Sequence, residues 1–240
     1  LLAFSPVMAK PLVYKADPAT ANGKHLVFIS SDHEYRGEET LPAMARILAK
    51  RHGFDCTVLF GLDENGEIKA GESNIPGLEA LETADAMIIF TRFQALPDEQ
   101  MKYIDAYLNR GGPVMGLRTA THAFRYDDKV SAFSKYDFQS KDPAYEKGFG
   151  HQVLGQTWVG HYGTNHVQST RITIVPEQVG NPILTGVKDI HVPVGGYNAE
   201  PADDWTILTM AQPLMSMEVD GEPDPTKPPM ASEWTREYTG

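Results

Sequence analysis

His25-Leu26-Val27-Phe28-Ile29-Ser30-Ser31 is a short, unbroken apolar run closed by polar residues, and Asp32-His33-Glu34-Tyr35-Arg36 follows it directly. An uninterrupted run of that length suits a strand buried on both faces, which is the strand type of a parallel sheet. Downstream, Leu41, Met44, Ile47 and Leu48 share one face at helical spacing. Thr40 is placed to cap that helix and Gly53 to end it. Asp55–Phe60 reads as a second strand and Ala86–Thr91 as a third. A polar loop over Gly61–Pro76 and a short helix around Leu78–Leu81 lie between them. Pro97 opens a helix with Asp98 and Glu99 in its first turn and Met101, Ile104 and Leu108 facing inward. Gly111-Gly112 stops it, and Pro113–Leu117 begins a fourth strand.

Strands alternating with helices predict an α/β protein with an open parallel sheet covered on both faces, for which a flavodoxin-like strand order is expected. The second half reads differently. Val167–Val175, Trp205–Met210, Leu214–Val219 and Met230–Arg236 are strand-like and separated by Pro, Gly and Asp, so a β-rich C-terminal extension of the same domain is expected.

Composition narrows the partners. Of 240 residues, 41% are hydrophobic and 22% charged, with Lys and Arg numbering 21 against 32 Asp and Glu. The formal net charge of −11 argues against nucleic acid or an anionic membrane, both of which call for a basic footprint. No stretch reaches the roughly 18 apolar residues of a membrane span. The lone Cys56 excludes an internal disulfide framework and any multi-Cys zinc site.

The ends carry their own expectations. Residues 1–9 close on Val7-Met8-Ala9 and resemble the tail of a secretory leader, which implies a periplasmic or extracellular protein. Residues 10–23 read as a linker, residues 24–240 as the domain, and the strand-like finish at Glu233–Gly240 suggests that a C-terminal piece is missing.

In parallel sheets the ligand crevice lies beyond the carboxyl ends of the strands. Three such ends are polar here. The first supplies Asp32, His33, Glu34, Tyr35 and Arg36; the third supplies Arg92 and Phe93; the fourth supplies Arg118 and His122. Taken singly, each could be a solvated loop, and Asp32 and Glu34 could simply cap the helix that follows. Together they predict one cleft. His33 beside Glu34 suits acid/base work, since imidazole titrates near neutrality. A guanidinium leaving a buried strand at Arg118 needs an acidic partner or an oxygen-rich ligand. His151, His161 and His166 are spaced 10 and 5 residues apart, which matches no zinc signature, so no metal or other cofactor is assigned. Phosphate-loop, dinucleotide and Gly-x-Ser-x-Gly motifs are absent from the sequence.

The order of several passages resembles the ThuA-like (trehalose-utilisation) family, a branch of the class I glutamine-amidotransferase-like fold. The passages are His25–Ser31 with Asp32-His33-Glu34, Ala84–Ile89, Leu108–Leu117, Gly160-His161, Asn181–Gly186 and Ala231–Arg236. The resemblance implies a flavodoxin-like core and a role in carbohydrate use. Glutamine hydrolysis is not expected, because Thr119 and Ala120 stand where an amidotransferase needs its Cys.

The resulting expectation is an enzyme acting on a sugar or keto-sugar. His33, Glu34, Arg118 and His122 would be catalytic. Asp32, Tyr35, Arg36, Arg92 and Phe93 would bind substrate, with His161, His166 and Glu200 lining the far wall. The partner is a small carbohydrate, with self-association of copies left open. The alternative is a non-catalytic carbohydrate-binding or assembly module using the same cleft.

Overall fold

The structure, a computed structural model, describes residues 10–238. The leader expected at residues 1–9 lies outside them. The described residues divide into two units, residues 10–157 with Tyr238, and Trp158–Glu237.

The first unit is built on strands β1 (Leu12–Tyr14), β2 (His25–Ser31), β3 (Asp55–Phe60), β4 (Ala86–Thr91) and β5 (Val114–Gly116). Helix α1 (Gly37–His52) joins β2 to β3, and α2 (Asp98–Asn109) joins β4 to β5. The sheet order is β1-β3-β2-β4-β5, parallel except for β1. From β2 the chain steps to β3, then back across β2 to β4 and on to β5. The strand order therefore reverses at β2, as the flavodoxin-like reading requires.

Alternation along the buried strands fills both faces. Leu26 and Phe28 point to one side, where they pack with Val58, Ile88, Phe90 and the Leu41, Ala45 and Ala49 stripe of α1. Val27 and Ile29 point to the other and meet Met87, Ile89 and the Met101, Ile104 and Leu108 stripe of α2. Period two in the strands against 3.6 in the helices places all these side chains in cores.

Two local readings change. Helix α1 begins at Gly37 rather than at Thr40, with Arg36 at its N-cap in the left-handed region (φ 54°). Thr40 Oγ1 donates instead to the Arg36 carbonyl at 3.2 Å. The segment expected to be a linker contains β1, which pairs antiparallel with β3 through Leu12–Val58 and Tyr14–Cys56. The rest of that segment is fastened to the end of α1: Asn22 N–H donates to the Gly53 carbonyl at 2.9 Å and Asn22 Nδ2 to the His52 carbonyl at 2.9 Å.

The second unit contains β6 (His161–Tyr162), β7 (Thr170–Ile174), β8 (Ile190–Val192), β9 (Gly196–Tyr197), β10 (Thr206–Pro213) and β11 (Met230–Thr235). Strands β11-β10-β7-β8 form an antiparallel sheet, and β6 pairs with β9. Trp205 stacks on Trp234 with centroids 4.0 Å apart. The β-rich character is as expected, although these strands gather into their own unit. The strand expected at Leu214–Val219 does not form. After Pro213 the chain doubles back, with Met215 N–H bonded to the Glu222 carbonyl and a single bridge between Leu214 and Pro223.

Candidate functional site

Three loops leave the carboxyl ends of β2, β4 and β5, and each holds a non-glycine residue in the left-handed region. These are Arg36 (φ 54°), Phe93 (φ 53°) and Arg118 (φ 41°), half of the six such residues among the described ones. An L-residue in this conformation costs on the order of 1–2 kcal/mol. Strain of that kind tends to gather at functional sites.

Asp32 organises the first loop. It is 1% exposed. Its Oδ1 accepts the Glu34 N–H at 2.8 Å and the Tyr35 N–H at 2.6 Å, and its Oδ2 accepts the Thr119 hydroxyl at 2.7 Å. One carboxylate thereby sets the turn that carries His33, Glu34 and Tyr35, and fixes that turn to the residue after Arg118.

Two charged groups result. In the first, Arg92 Nη1 lies 2.8 Å from His33 Nε2 and 3.1 Å from Glu34 Oε2. A guanidinium can only donate. His33 Nε2 therefore accepts, and the ring is neutral with its proton on Nδ1. In the second, Arg118 Nη2 donates to Tyr35 Oη at 2.8 Å while the guanidinium carbon sits 4.4 Å from the ring centroid. Phe93 lies 4.8 Å from the Arg92 guanidinium and 5.4 Å from that of Arg125, both within cation–π range. Arg125 in turn donates to Asp127 Oδ1 at 2.8 Å.

The placement departs from expectation at several residues. Asp32 is enclosed and engaged in three hydrogen bonds, so it braces the loops rather than meeting a ligand. The Arg36 side chain is 75% exposed and paired with Glu39 on the same helix. His122 is 1% exposed, with its ring 4.9 Å from Phe93 and 6.2 Å from Phe138. Its Nδ1 is 3.2 Å from Thr121 Oγ1, whose own proton goes to the Arg118 carbonyl, so Nδ1 is the donor. A group so covered cannot exchange protons directly with a ligand in the crevice. The guanidinium of Arg118 covers a face of Tyr35, which leaves the phenol edge rather than that face for contact.

His161, His166 and Glu200 all belong to the second unit and are exposed there. His161 pairs across the β6–β9 ribbon with Tyr197, ring centroids 5.4 Å apart, and its ring also meets Trp158 at 5.8 Å. Among the described residues, no three His, Cys, Asp or Glu side chains cluster as a metal site.

Sequence reasoning missed Gln94 and Gly71. Gln94 is fully buried, and its Nε2 lies 3.1 Å from the Ser31 carbonyl, 3.1 Å from that of Gly71 and 2.9 Å from that of Arg92. A Cβ on Gly71 would stand 2.9 Å from both Cβ and Nδ1 of His33. An amide in a strand-end loop carries no chemical signature in sequence; its closeness to Arg92 was the one available signal.

Fold and site together define a flavodoxin-like α/β unit with an Arg, His and aromatic cluster at its switch point. No protein-family model matches the chain, and no curated protein does. Two solved structures share its fold. One is a protein described as ThuA-like from Bacteroides uniformis, with TM-score 0.52 and 14% identity, covering 93% of this chain and 81% of that one. The other, also described as ThuA-like, is from Parabacteroides merdae, with TM-score 0.51, 14% identity and coverage of 90% and 76%. The chain has the fold of ThuA-like proteins.

Proposed function

We propose that the protein is an enzyme working outside the cytoplasm, which carries out acid/base chemistry on a sugar or keto-sugar in the crevice at the ends of β2, β4 and β5. The observation that carries this reading is the convergence of three strained loops, which sets the Arg92–His33–Glu34 group beside the Tyr35–Arg118 pair. The named charges around it are three guanidiniums, Arg92, Arg118 and Arg125, against three carboxylates, Asp32, Glu34 and Asp127. That near balance, on a chain of net charge −11, suits an uncharged ligand rich in hydroxyls. The likeness to ThuA-like proteins, with the carbohydrate use that the resemblance implies, supports the same substrate class. Export rests on the leader-like run that ends at Ala9.

Chemically, a sugar carbonyl oxygen that takes over the hydrogen bond from Arg92 releases the lone pair of His33 Nε2. That nitrogen then accepts the proton from the neighbouring carbon, and the electron pair moves onto the carbonyl oxygen. The developing negative charge lies against Arg92 and Arg118, where fixed donors lower the barrier. Glu34 offsets the positive charge gained by His33. Glutamine hydrolysis has no nucleophile here: Cys56 is buried in β3, and burial pushes its thiol up to about 11.

A binding module without chemistry is the second reading, favoured by His33 Nε2 being already engaged and by His122 being covered. Incubation with a panel of sugars and keto-sugars, followed by NMR, separates the two. New product resonances that disappear in Arg118→Ala support the enzyme; ligand line broadening without product supports the module.

A further inference from the structure

Gln94 bonds to the end of β2 and to the loops after β3, β4 and β5. Its side-chain amide reaches the last residue of β2 (Ser31), the loop after β3 (Gly71) and the loop after β4 (Arg92). Its backbone N–H donates to the Ala123 carbonyl at 2.7 Å, and its carbonyl accepts from Arg125 N–H at 2.9 Å, both in the loop after β5. The orientation of the amide is not arbitrary. Exchanging Nε2 and Oε1 would set an oxygen against three carbonyl oxygens, so the nitrogen must face them. Two hydrogens face three acceptors, of which the Ser31 carbonyl also accepts the Arg92 N–H at 3.3 Å; a carboxylate would repel all three, and an apolar chain would withdraw the side-chain donor from them.

Two of those carbonyls belong to residues that fix His33 from opposite ends of its ring. Gly71, at φ +79°, presses against the Nδ1 side so closely that a Cβ would not fit. Arg92 holds the Nε2 side at 2.8 Å. The backbone of each is anchored by the same Gln94 nitrogen.

We infer that Gln94 is the positioning residue of the site, holding Gly71 and Arg92 so that His33 is kept in a single neutral form with its proton on Nδ1 and its Nε2 facing Arg92. The inference rests on the His33 site proposed above, but not on its substrate. A polar contact that merely filled the interior would have no bearing on which imidazole nitrogen carries the proton. Gln94 acts through Gly71 and Arg92 and does not itself meet the reacting atoms.

The test is the long-range proton–nitrogen NMR spectrum of the imidazole rings in ligand-free protein at pH 8, with His33 assigned by His33→Gln. Wild type should show His33 as one tautomer, Nδ1 protonated and Nε2 not. In Gln94→Met the His33 nitrogens should move toward the averaged shifts of two exchanging tautomers, while buried His122 keeps its own. Gly71→Ala should produce the same loss by displacing the loop from the ring. A folded Gln94→Met with the His33 spectrum unchanged overturns the inference. Should Gln94→Met not fold, Gly71→Ala decides alone, and an unchanged His33 there overturns it too. Because no sugar is present, a protein that turned over none of the panel would sink the proposed function and leave this result standing.

Discussion

The Thr119 hydroxyl donates to Asp32 Oδ2 across 2.7 Å, joining the loops after β5 and β2 although 87 residues separate them in the chain. Both residues are buried, so the bond has little competition from water. It puts Arg118 next to the turn that carries Tyr35. Thr119→Val keeps the shape but leaves one carboxylate oxygen without its donor. The expected loss is about 1.5–3 kcal/mol, the range for a hydrogen bond to a charged group. Denaturant unfolding of the two proteins measures it, and a loss below about 0.5 kcal/mol would show that the loops are joined by something else.

Gly53 is the point where the N-terminal segment is fastened to α1. It sits at φ 75°, and a Cβ there would lie 1.8 Å from the Thr20 carbonyl oxygen. Gly53→Ala therefore combines left-handed strain with a backbone clash, and a cost on the order of 2 kcal/mol is expected. Thermal unfolding reads it. Protease cleavage within residues 15–22 should rise in parallel, since relief of the clash requires that stretch to lift away.

Asp85 predicts a pH dependence. The Lys24 ammonium at 2.8 Å, helped by the His25 N–H at 2.8 Å, holds its carboxyl below the usual carboxylate range. A carboxyl that is more acidic folded than unfolded stabilises the protein above its unfolded value, about 3.9, and this contribution fades as the pH falls through the folded value. The stability difference between wild type and Asp85→Asn should hold constant above about pH 5 and shrink on acidification below it. Denaturant midpoints taken across that range check the sign; a difference that grows in acid contradicts the assignment.

Most of the first unit was legible because its signals are local. The buried strands are continuous apolar runs, and the α1 and α2 stripes repeat at helical spacing. Leu12–Tyr14 was not legible: three residues amid Pro and Asp become a strand only because β3 offers them an edge. The start of α1 lies earlier than expected because Thr40 looks like a cap, whereas the left-handed turn at Arg36 carries no such signal in sequence. In the site, residue type indicated which groups carry charge but not which are covered. Asp32 and His122 look like Glu34 and His33 on paper, and only packing separates the braced pair from the reachable one. Gln94 escaped notice for the same reason, since its role lies in carbonyls contributed by other loops.

The proposed function requires a small sugar to engage the loops after β2, β4 and β5. Backbone amide NMR of the wild-type protein, titrated with the sugar panel beside Arg118→Ala, tests it most directly. At least one sugar should shift residues 32–36, 92–94 and 118–122, and Arg118→Ala should weaken that binding at least tenfold while staying folded. No binding by any sugar, or shifts confined to residues away from those loops, would contradict it.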